Sequence, residues 1–529
     1  MHRTKKVATI LILLLIIVYV LLASDHFQWG TDGGIPIEGA RRILSGEVLY
    51  RDFFEFWMPG TFYFLALLIQ LLGFSFGLIR TIAFVNISAI CALTFLIARK
   101  LNLSTLLSLL STLLFLLPSA VFCYNHNWLG LLFICLGCWV LLWPPKSWTK
   151  WIIMGLINGV AISFNQWQGA AMFVAVSLTV LKIGAAPVSG PPLCPVWNLN
   201  LKEFKKFVIY ALSTTLIPLF WCLYFWQQST LRELLYATII FPLTHYPTGN
   251  MHQIPSNLWW LTTIFYLVFF WRERYSEKGK EDKEVLRKLR VISIFGFIAH
   301  VLAIVSPNTG HTALSYPFTA PLVVCFTKHK ISQFRKQSIP NLSSVTSLLT
   351  SSIFIKQAVR KALFLLFICL FATVSFFHFA SKINYFLFKE AETLQTNYGD
   401  LKTTARVKTV ISQMQDCLAE SADRKEYIYI APWFPSLYTI LDTSNPTRHA
   451  HLGFEHYTQE IINGVISDLK EKSVETIIFL PSLSYAYERQ PEYFSQFLEN
   501  NFELSCQFEL GELENRTYPR DGVWTKIAR

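Results

Sequence analysis

Long apolar runs separated by short polar ones organise this chain. Twelve runs are candidate membrane helices: 7–23, 61–79, 81–98, 104–121, 128–143, 151–165, 168–184, 206–226, 257–271, 291–305, 313–327 and 362–380. A helix needs about 20 residues to cross a hydrocarbon core of about 30 Å. Packing so many runs inside a soluble core would require helices with almost no polar face. From about Asn384 the pattern changes. Leu401 to Ala419 reads as a helix and Glu426 to Ala431 as a strand. Phe454 to Lys470 reads as a second helix, and Val474 to Leu480, Phe502 to Leu510 and Val523 to Ala528 as further strands. Strands alternating with helices predict a small α/β domain over 384–529.

Charge sets the orientation. If all twelve runs crossed, Arg99-Lys100 and Lys146 to Lys150 would face outside, against the bias of cytoplasmic loops toward Lys and Arg. If 61–79 lies along the interface instead, the basic loops all fall inside: 99–100, 146–150, 202–206, 272–290 and 328–361. The loops at 124–127, 165–168, 227–257 and 306–311 then fall outside. The 61–79 stretch is rich in Phe, Tyr and Gly and carries Gln70, a composition that suits an interfacial helix. The expected architecture is an α-helical polytopic membrane protein with about eleven transmembrane helices over 1–383, plus interfacial helices. Its N-terminus is cytoplasmic, its large outside loops are 24–60 and 227–257, and its C-terminal α/β domain is extracytoplasmic. Val7 to Ala23 is too long for a signal-peptide core and Ser24-Asp25-His26 is a poor cleavage site, so the first span reads as an uncleaved anchor.

Composition agrees with this picture. The 529 residues are 53% hydrophobic and 15% charged, with a mean hydropathy of +0.40, whereas a soluble chain carries about a quarter charged residues. The net charge of +12 gathers in stretches such as Lys278 to Arg290, Lys328 to Lys336 and Lys356 to Lys361, so it calls for no nucleic-acid partner. The ten cysteines show no metal-like spacing, and Cys91, Cys135, Cys138 and Cys369 sit in apolar runs as packing residues. Cys417 and Cys506 could pair outside the cytoplasm. Two unpaired thiols are the expectation, because nothing in the sequence sets their distance.

Candidate chemistry concentrates in the first outside loop. Asp32 precedes two glycines, which permit a tight turn and leave the carboxylate unobstructed. Pro36 to Leu44 is an amphipathic helix, with Ile37, Ala40, Ile43 and Leu44 on one face and Glu38, Arg41 and Arg42 on others; Gly46 ends it. An aromatic segment, Tyr50 to Trp57, follows with Arg51, Asp52 and Glu55. A carboxylate beside a membrane-embedded cavity could take a proton from an acceptor hydroxyl while a lipid phosphate leaves. On spacing alone the plainer reading of Asp32, a helix cap or solvated turn residue, stands ahead.

The run Asp32-Gly-Gly…Glu38-Gly-Ala40-Arg41…Leu44-Ser-Gly46-Glu47…Tyr50-Arg51-Asp52-Phe53…Pro59-Gly60…Tyr63…Leu67…Gly73…Arg80 resembles the opening of the GT-C glycosyltransferases. Within them it is most similar to the dolichyl-phosphate-mannose protein mannosyltransferase, aminoarabinose transferase and Rgt-like group. Gly155 to Gly169 is similar to a span-turn-span segment of these bacterial proteins. Tyr427-Ile-Tyr-Ile-Ala-Pro432…Leu437-Tyr438…Asn445-Pro446-Thr447-Arg448 is similar to their periplasmic tail. The resemblance covers nearly the whole chain, and the order of its motifs is more specific than any one of them. It implies a bacterial inner-membrane enzyme that transfers a sugar, with inversion, from a polyprenyl-phosphate carrier to an extracytoplasmic glycan, lipid or protein. Asp32 matches the leading acid of the family's motif, which implies a catalytic base, and Arg41 matches the arginine that follows. Gly33 stands where many relatives carry a second acid, which weakens any metal held by paired acids and puts the base itself in question.

Asp52 and Glu55 are candidates to compensate, or equally interface anchors. In the second large outside loop Arg232, His245 and His252 could bind phosphate, although ordinary loop polarity accounts for each of them singly. His311 contacts either phosphate or interface water, and His126 reads as a loop residue. There is no Walker A loop, nucleotide-binding glycine fingerprint, HExxH or CxxC pair. A lipid-linked donor carries its own activated bond, so no cofactor is required and a divalent metal stays open. The implied partners are the lipid-linked donor, the acceptor and membrane lipids. Two other readings compete: a glycolipid transporter or flippase, and an inactive GT-C-like scaffold. Transporters usually show Gly/Pro-broken spans with buried charges, whereas here the ionisable candidates cluster in outside loops.

Overall fold

The apolar runs fold as helices whose outward faces remain apolar. The computed structural model describes residues 2–24, 33–118, 124–144, 147–181, 201–245, 255–276, 283–305, 309–336, 370, 373–389, 392–420, 427–432, 434–452, 458–480, 492–508 and 521–527. The membrane part begins with α1 (His2–Ser24), α2 (Gly34–Leu44), α3 (Gly60–Leu72), α4 (Phe76–Lys100), α5 (Thr105–Leu116) and α6 (His126–Leu141). Next come α7 (Thr149–Phe164), α8 (Gln166–Val180), α9 (Leu201–Gln227), α10 (Leu231–Leu235) and α11 (Phe241–Thr244), the last two joined by a π-helical turn, Tyr236–Ile240. Then follow α12 (Asn257–Ser276), α13 (Lys283–Leu302), α14 (Thr309–Ala313) and α15 (Tyr316–Lys336). Among the described residues, three helices are long and apolar enough to cross a membrane: Lys6–Ser24, Phe76–Lys100 and Leu201–Gln227. Leu11, Leu212 and Trp226 are each at least 60% exposed, as lipid-facing positions would be. The chain is an integral membrane protein with a mostly helical fold. About half of the candidate run 362–380 lies outside the described residues.

Two features differ from the periodicity reading. The run 61–79 divides: Gly73, at φ 78°, ends α3, and Ser75 caps α4 by accepting from the Leu78 N–H. The second outside loop contains a helical run, Leu231–Thr244, that buries Leu234, Ala237 and Phe241 while Ile239, Ile240 and Leu243 stay exposed.

Close helix contact in the bundle depends on small residues. A Cβ at Gly155 would lie 2.5 Å from the Tyr210 carbonyl oxygen, and one at Gly159 would lie 2.8 Å from that of Thr214. These glycines, four apart on α7, let α9 approach closely, as small residues do in membrane helix pairs. The Asn158 amide donates to the Tyr210 hydroxyl at 2.9 Å across the same contact.

The C-terminal part has strands β1 (Glu392–Leu394), β2 (Leu401–Thr403), β3 (Tyr429–Ala431), β4 (Thr476–Phe479), β5 (Phe502–Gln507) and β6 (Gly522–Lys526). Its helices are α16 (Ala405–Glu420), α17 (Ser436–Ile440), α18 (Gln459–Glu471) and α19 (Glu492–Asn501). The order β3-β4-β6-β5 makes one sheet, parallel between β3 and β4 and antiparallel elsewhere; β1 and β2 form a separate antiparallel pair. The helix expected from Leu401 starts at Ala405, because Leu401–Thr403 pairs with β1. Cys417 and Cys506 are joined by a disulfide, which corrects the expectation of two free thiols. The tertiary fold brings α16 and β5 together, and residues 89 apart in sequence carry no trace of that proximity. One apolar cluster runs from Ile37, Ala40, Leu65 and Ile69 of α2 and α3 into Leu394, Ile430, Tyr438 and Ile478 of the C-terminal part. The two ends of the chain therefore share a core.

Candidate active site

The first loop is where that shared core turns polar. Asp32, and with it the capping and base readings, lies outside the described residues. Gly33 is the N-cap of α2 and makes no side-chain cap bond. Gly34 abuts α17, since a Cβ there would lie 2.6 Å from the Ser436 nitrogen. Leu44, expected on the buried apolar face, is 42% exposed, whereas Glu38 is 3% and Arg42 8% exposed. The polar side of α2 is covered by the C-terminal part, so it meets protein rather than water.

That covering arranges the charges. Arg41 reaches the Glu38 carboxylate at 3.5 Å and the Thr439 hydroxyl at 3.3 Å. Burial, only partly offset by Arg41 and Arg42, pushes the Glu38 carboxyl up to about 7. Arg42 donates to Glu47 at 2.7 Å, to the Thr447 carbonyl at 2.9 Å and to the Asp52 carbonyl at 3.2 Å. Its guanidinium also lies 4.9 Å over the Phe53 ring.

The segment from Val48 to Trp57 is tightly turned. Tyr50, at φ 73°, donates from its N–H to the Phe53 carbonyl and from its hydroxyl to the Trp57 carbonyl. Asp52 accepts from the Val48 N–H at 2.7 Å and takes both arms of Arg51 at 2.8 Å. The Arg51 hydrogen bonds hold the Asp52 carboxyl below the usual carboxylate range. These contacts give Asp52 a turn-anchoring position. Glu55 instead points inward: its Oε1 lies 3.3 Å from His451 Nδ1, and both side chains are 2% exposed. Burial pushes His451 down to about 3, so at neutral pH the carboxyl faces a neutral imidazole. Around the pair, the Phe54 N–H donates to the Arg448 carbonyl at 2.8 Å, and Arg448 donates back to the Tyr50 carbonyl at 2.6 Å.

The outer helices close on the same segment. Phe54 meets Phe241 edge-on at 4.8 Å, and His245 stacks on Phe241 at 4.6 Å while bonding the Thr244 hydroxyl. Trp57 packs on His126 at 3.8 Å. His126, expected in a loop, is the first residue of α6, and His311 on α14 is close enough to act on it electrostatically. Burial pushes His311 down to about 4. The fold thus places Asp52 and Glu55 in this segment and His245 beside it through Phe241, while Arg41 faces Glu38 and Thr439, and His311 lies near His126. Arg232 is exposed on α10, and no described contact ties it to this block; His252 lies outside the described residues. Sequence reasoning missed Glu38, Arg42, Arg448 and His451 as members. The first two carried a weak signal, charges interleaved with apolar positions in a short helix; His451 carried none. Among the described residues, no group of three or more His, Cys, Asp or Glu side chains is placed to hold a metal ion.

The chain has a GT-C-like fold, here a helical membrane bundle whose first loop shares a core with the C-terminal α/β part. In particular it is similar to ArnT from Cupriavidus metallidurans bound to undecaprenyl phosphate, at 12% identity and a TM-score of 0.54, with 98% of each chain covered. The same protein in the apo state matches at 11% identity and a TM-score of 0.54 over 100% of this chain and 99% of that one. The oligosaccharyltransferase AglB from Archaeoglobus fulgidus gives a TM-score of 0.49 at 11% identity over 93% of this chain and 72% of its own, too slight a likeness to build on. No protein-family model and no curated protein sequence matches the chain.

Proposed function

We propose that this chain is a membrane glycosyltransferase that moves a sugar from a polyprenyl-phosphate carrier to an extracytoplasmic glycan, lipid or protein. The observation that carries this reading is the buried block of Glu38, Arg42, Glu55 and His451, with half-buried Arg41 at its edge, assembled from both ends of a GT-C-like fold. The fold's solved neighbour, ArnT, binds undecaprenyl phosphate. The acceptor hydroxyl attacks the anomeric carbon and gives its proton to a carboxylate; the bond to phosphate oxygen breaks with inversion, and the lipid phosphate leaves with the electron pair. Asp32 is the proposed base. Arg41, Arg232, His245, His252 and His311 are the proposed phosphate and substrate contacts, with Asp52 and Glu55 shaping the loop that presents them.

The proposed organisation is a transmembrane domain over 1–383 with about eleven crossings, and an extracytoplasmic domain over 384–529, in a bacterial plasma membrane. Two observations support it. The 13 residues of α3 span only about 20 Å at 1.5 Å per residue and expose Leu67, Leu71 and Leu72, which suits a helix lying at the interface. The Cys417–Cys506 disulfide suits an oxidising compartment outside the cytoplasm.

The test is transfer of labelled sugar from undecaprenyl-phosphate donors in proteoliposomes. Asp32→Asn is expected to lower kcat by about 100-fold or more, the usual scale for losing a general base. Full activity in that variant would remove Asp32 from the mechanism. A wild-type protein that transfers nothing while moving glycolipid between leaflets would mark a flippase.

A further inference from the structure

A second polar cluster sits at the turn between α7 and α8, among the residues Asn165 to Gly169 that carry part of the family resemblance. Almost every amide there has a structural duty. Asn125 caps α6 by accepting from the Trp128 N–H at 3.0 Å. Asn165 caps α8 by accepting from the Gln168 N–H at 3.0 Å and donates to the Asn127 side chain at 2.9 Å. Gln166 donates to the Phe56 carbonyl at 3.1 Å and the Thr238 carbonyl at 3.3 Å, bracing the first loop against the second.

Gln168 has no such duty. Its side chain is buried at 6% exposure, and neither its Oε1 nor its Nε2 has a hydrogen-bond partner among the described residues. A glutamine third in a helix can bond back to the N-cap N–H, but the Asn165 N–H already donates to the Ala161 carbonyl at 2.9 Å. The amide lies against α6 only because position 130 is glycine: a Cβ there would fall 2.3 Å from Gln168 Oε1. One helical turn from Gly130, on the same face of α6, the Nδ1 of His126 is also buried without a hydrogen-bond partner among the described residues. Each such buried group costs about 1–3 kcal/mol, and packing alone would be served as well by Met or Leu.

We infer that the Gln168 carboxamide and His126 Nδ1 form a binding subsite for the hydroxyl groups of a sugar ring. The inference rests on the glycosyltransferase reading and gives the sugar, rather than the phosphate, to this part of the molecule. A carboxamide presents two donors and an acceptor, and a hydroxyl presents a donor and two lone pairs, so the pair is complementary. Asn125, Asn127, Asn165, Gln166 and Gln168 are neutral and no lysine or arginine stands among them in the turn, so the cluster lacks the fixed cation that a phosphate calls for. The sugar can belong to the donor or to the acceptor, since both offer the same hydroxyl chemistry.

The experiment measures binding to the full-length protein in nanodiscs. The probes are undecaprenyl phosphate, undecaprenyl-phosphate-linked hexoses, and a free lipopolysaccharide core oligosaccharide. Gln168→Met keeps the volume and removes the hydrogen bonds; His126→Phe keeps the packing on Trp57 and removes Nδ1. Both variants are expected to bind one class of sugar-bearing probe about tenfold more weakly, to bind undecaprenyl phosphate as the wild type does, and to melt no lower than it. The probe class that weakens identifies the sugar as donor or acceptor. Unchanged affinity for every sugar-bearing probe overturns the subsite and leaves the glycosyltransferase reading standing. An equal loss for undecaprenyl phosphate also overturns it, as does a lower melting temperature in both variants, which would make the two side chains structural. A wild-type protein that binds none of the probes overturns the glycosyltransferase reading and this inference together.

Discussion

At the scale of single residues, Glu38 has the most consequential environment. Its carboxyl is held up at about 7 against an ordinary 4.5, so the folded protein keeps a proton that the unfolded chain releases between those values. Stability from this group is therefore greatest below about pH 4.5 and declines as pH rises toward 7, by about 3 kcal/mol in all. Glu38→Gln is expected to abolish that decline, so its melting temperature should change less than the wild type's between pH 5 and 8. Equal slopes for the two proteins would mean that Glu38 is ionised in the fold. The sequence placed Glu38 on a helix, and its glycine and proline punctuation bounded that helix almost to the residue. Its burial was illegible, because the groups that cover it lie some 400 positions away, around Thr439 and Tyr438.

At the scale of elements, hydropathy marked apolar runs that fold as helices, three of them, among the described residues, long and apolar enough to cross a bilayer. It could not show how closely they approach. Gly155 and Gly159 let α7 lie against α9, and Gly155→Leu would drive a side chain into the Tyr210 carbonyl and the Ser213 side chain. The expected cost is about 3 kcal/mol or more, seen as loss of a monodisperse peak in detergent; a variant that purifies and melts like the wild type would refute the contact. The C-terminal elements that the sequence marked were right in type and order except where pairing overrode pattern, as at Leu401–Thr403; β1, α17 and α19 were passed over. The disulfide between α16 and β5 was legible only as two cysteines. Cys506→Ser opens a loop of 89 residues and is expected to cost about 4–5 kcal/mol on the chain-entropy account. The check is a lower midpoint of thermal unfolding for the C-terminal part, reproduced by reducing the wild type.

At the scale of the whole molecule, the first loop and the C-terminal part are one unit. Arg42 is the rivet: it bonds Glu47, the Asp52 carbonyl and the Thr447 carbonyl while covering Phe53. Arg42→Ala is expected to cost about 2–4 kcal/mol and to expose the segment around Thr447 to protease in an otherwise inserted protein. Wild-type protease resistance would show that the apolar cluster alone holds the two ends together.

The contact between Glu55 and His451 also has a consequence in time. The two residues leave the ribosome almost 400 positions apart, which at 5–20 residues per second is about 20 to 80 s. Through that interval Glu38, Arg42 and Glu55 lack the contacts with the segment from Thr439 to His451 that cover them in the fold. The segment that covers them is made long after the loop itself. A chain cut between about residues 390 and 450 would carry the helices of the membrane part and still leave Glu38, Arg42 and Glu55 uncovered, so the buried block can form only once the segment around Thr447 and His451 has been made.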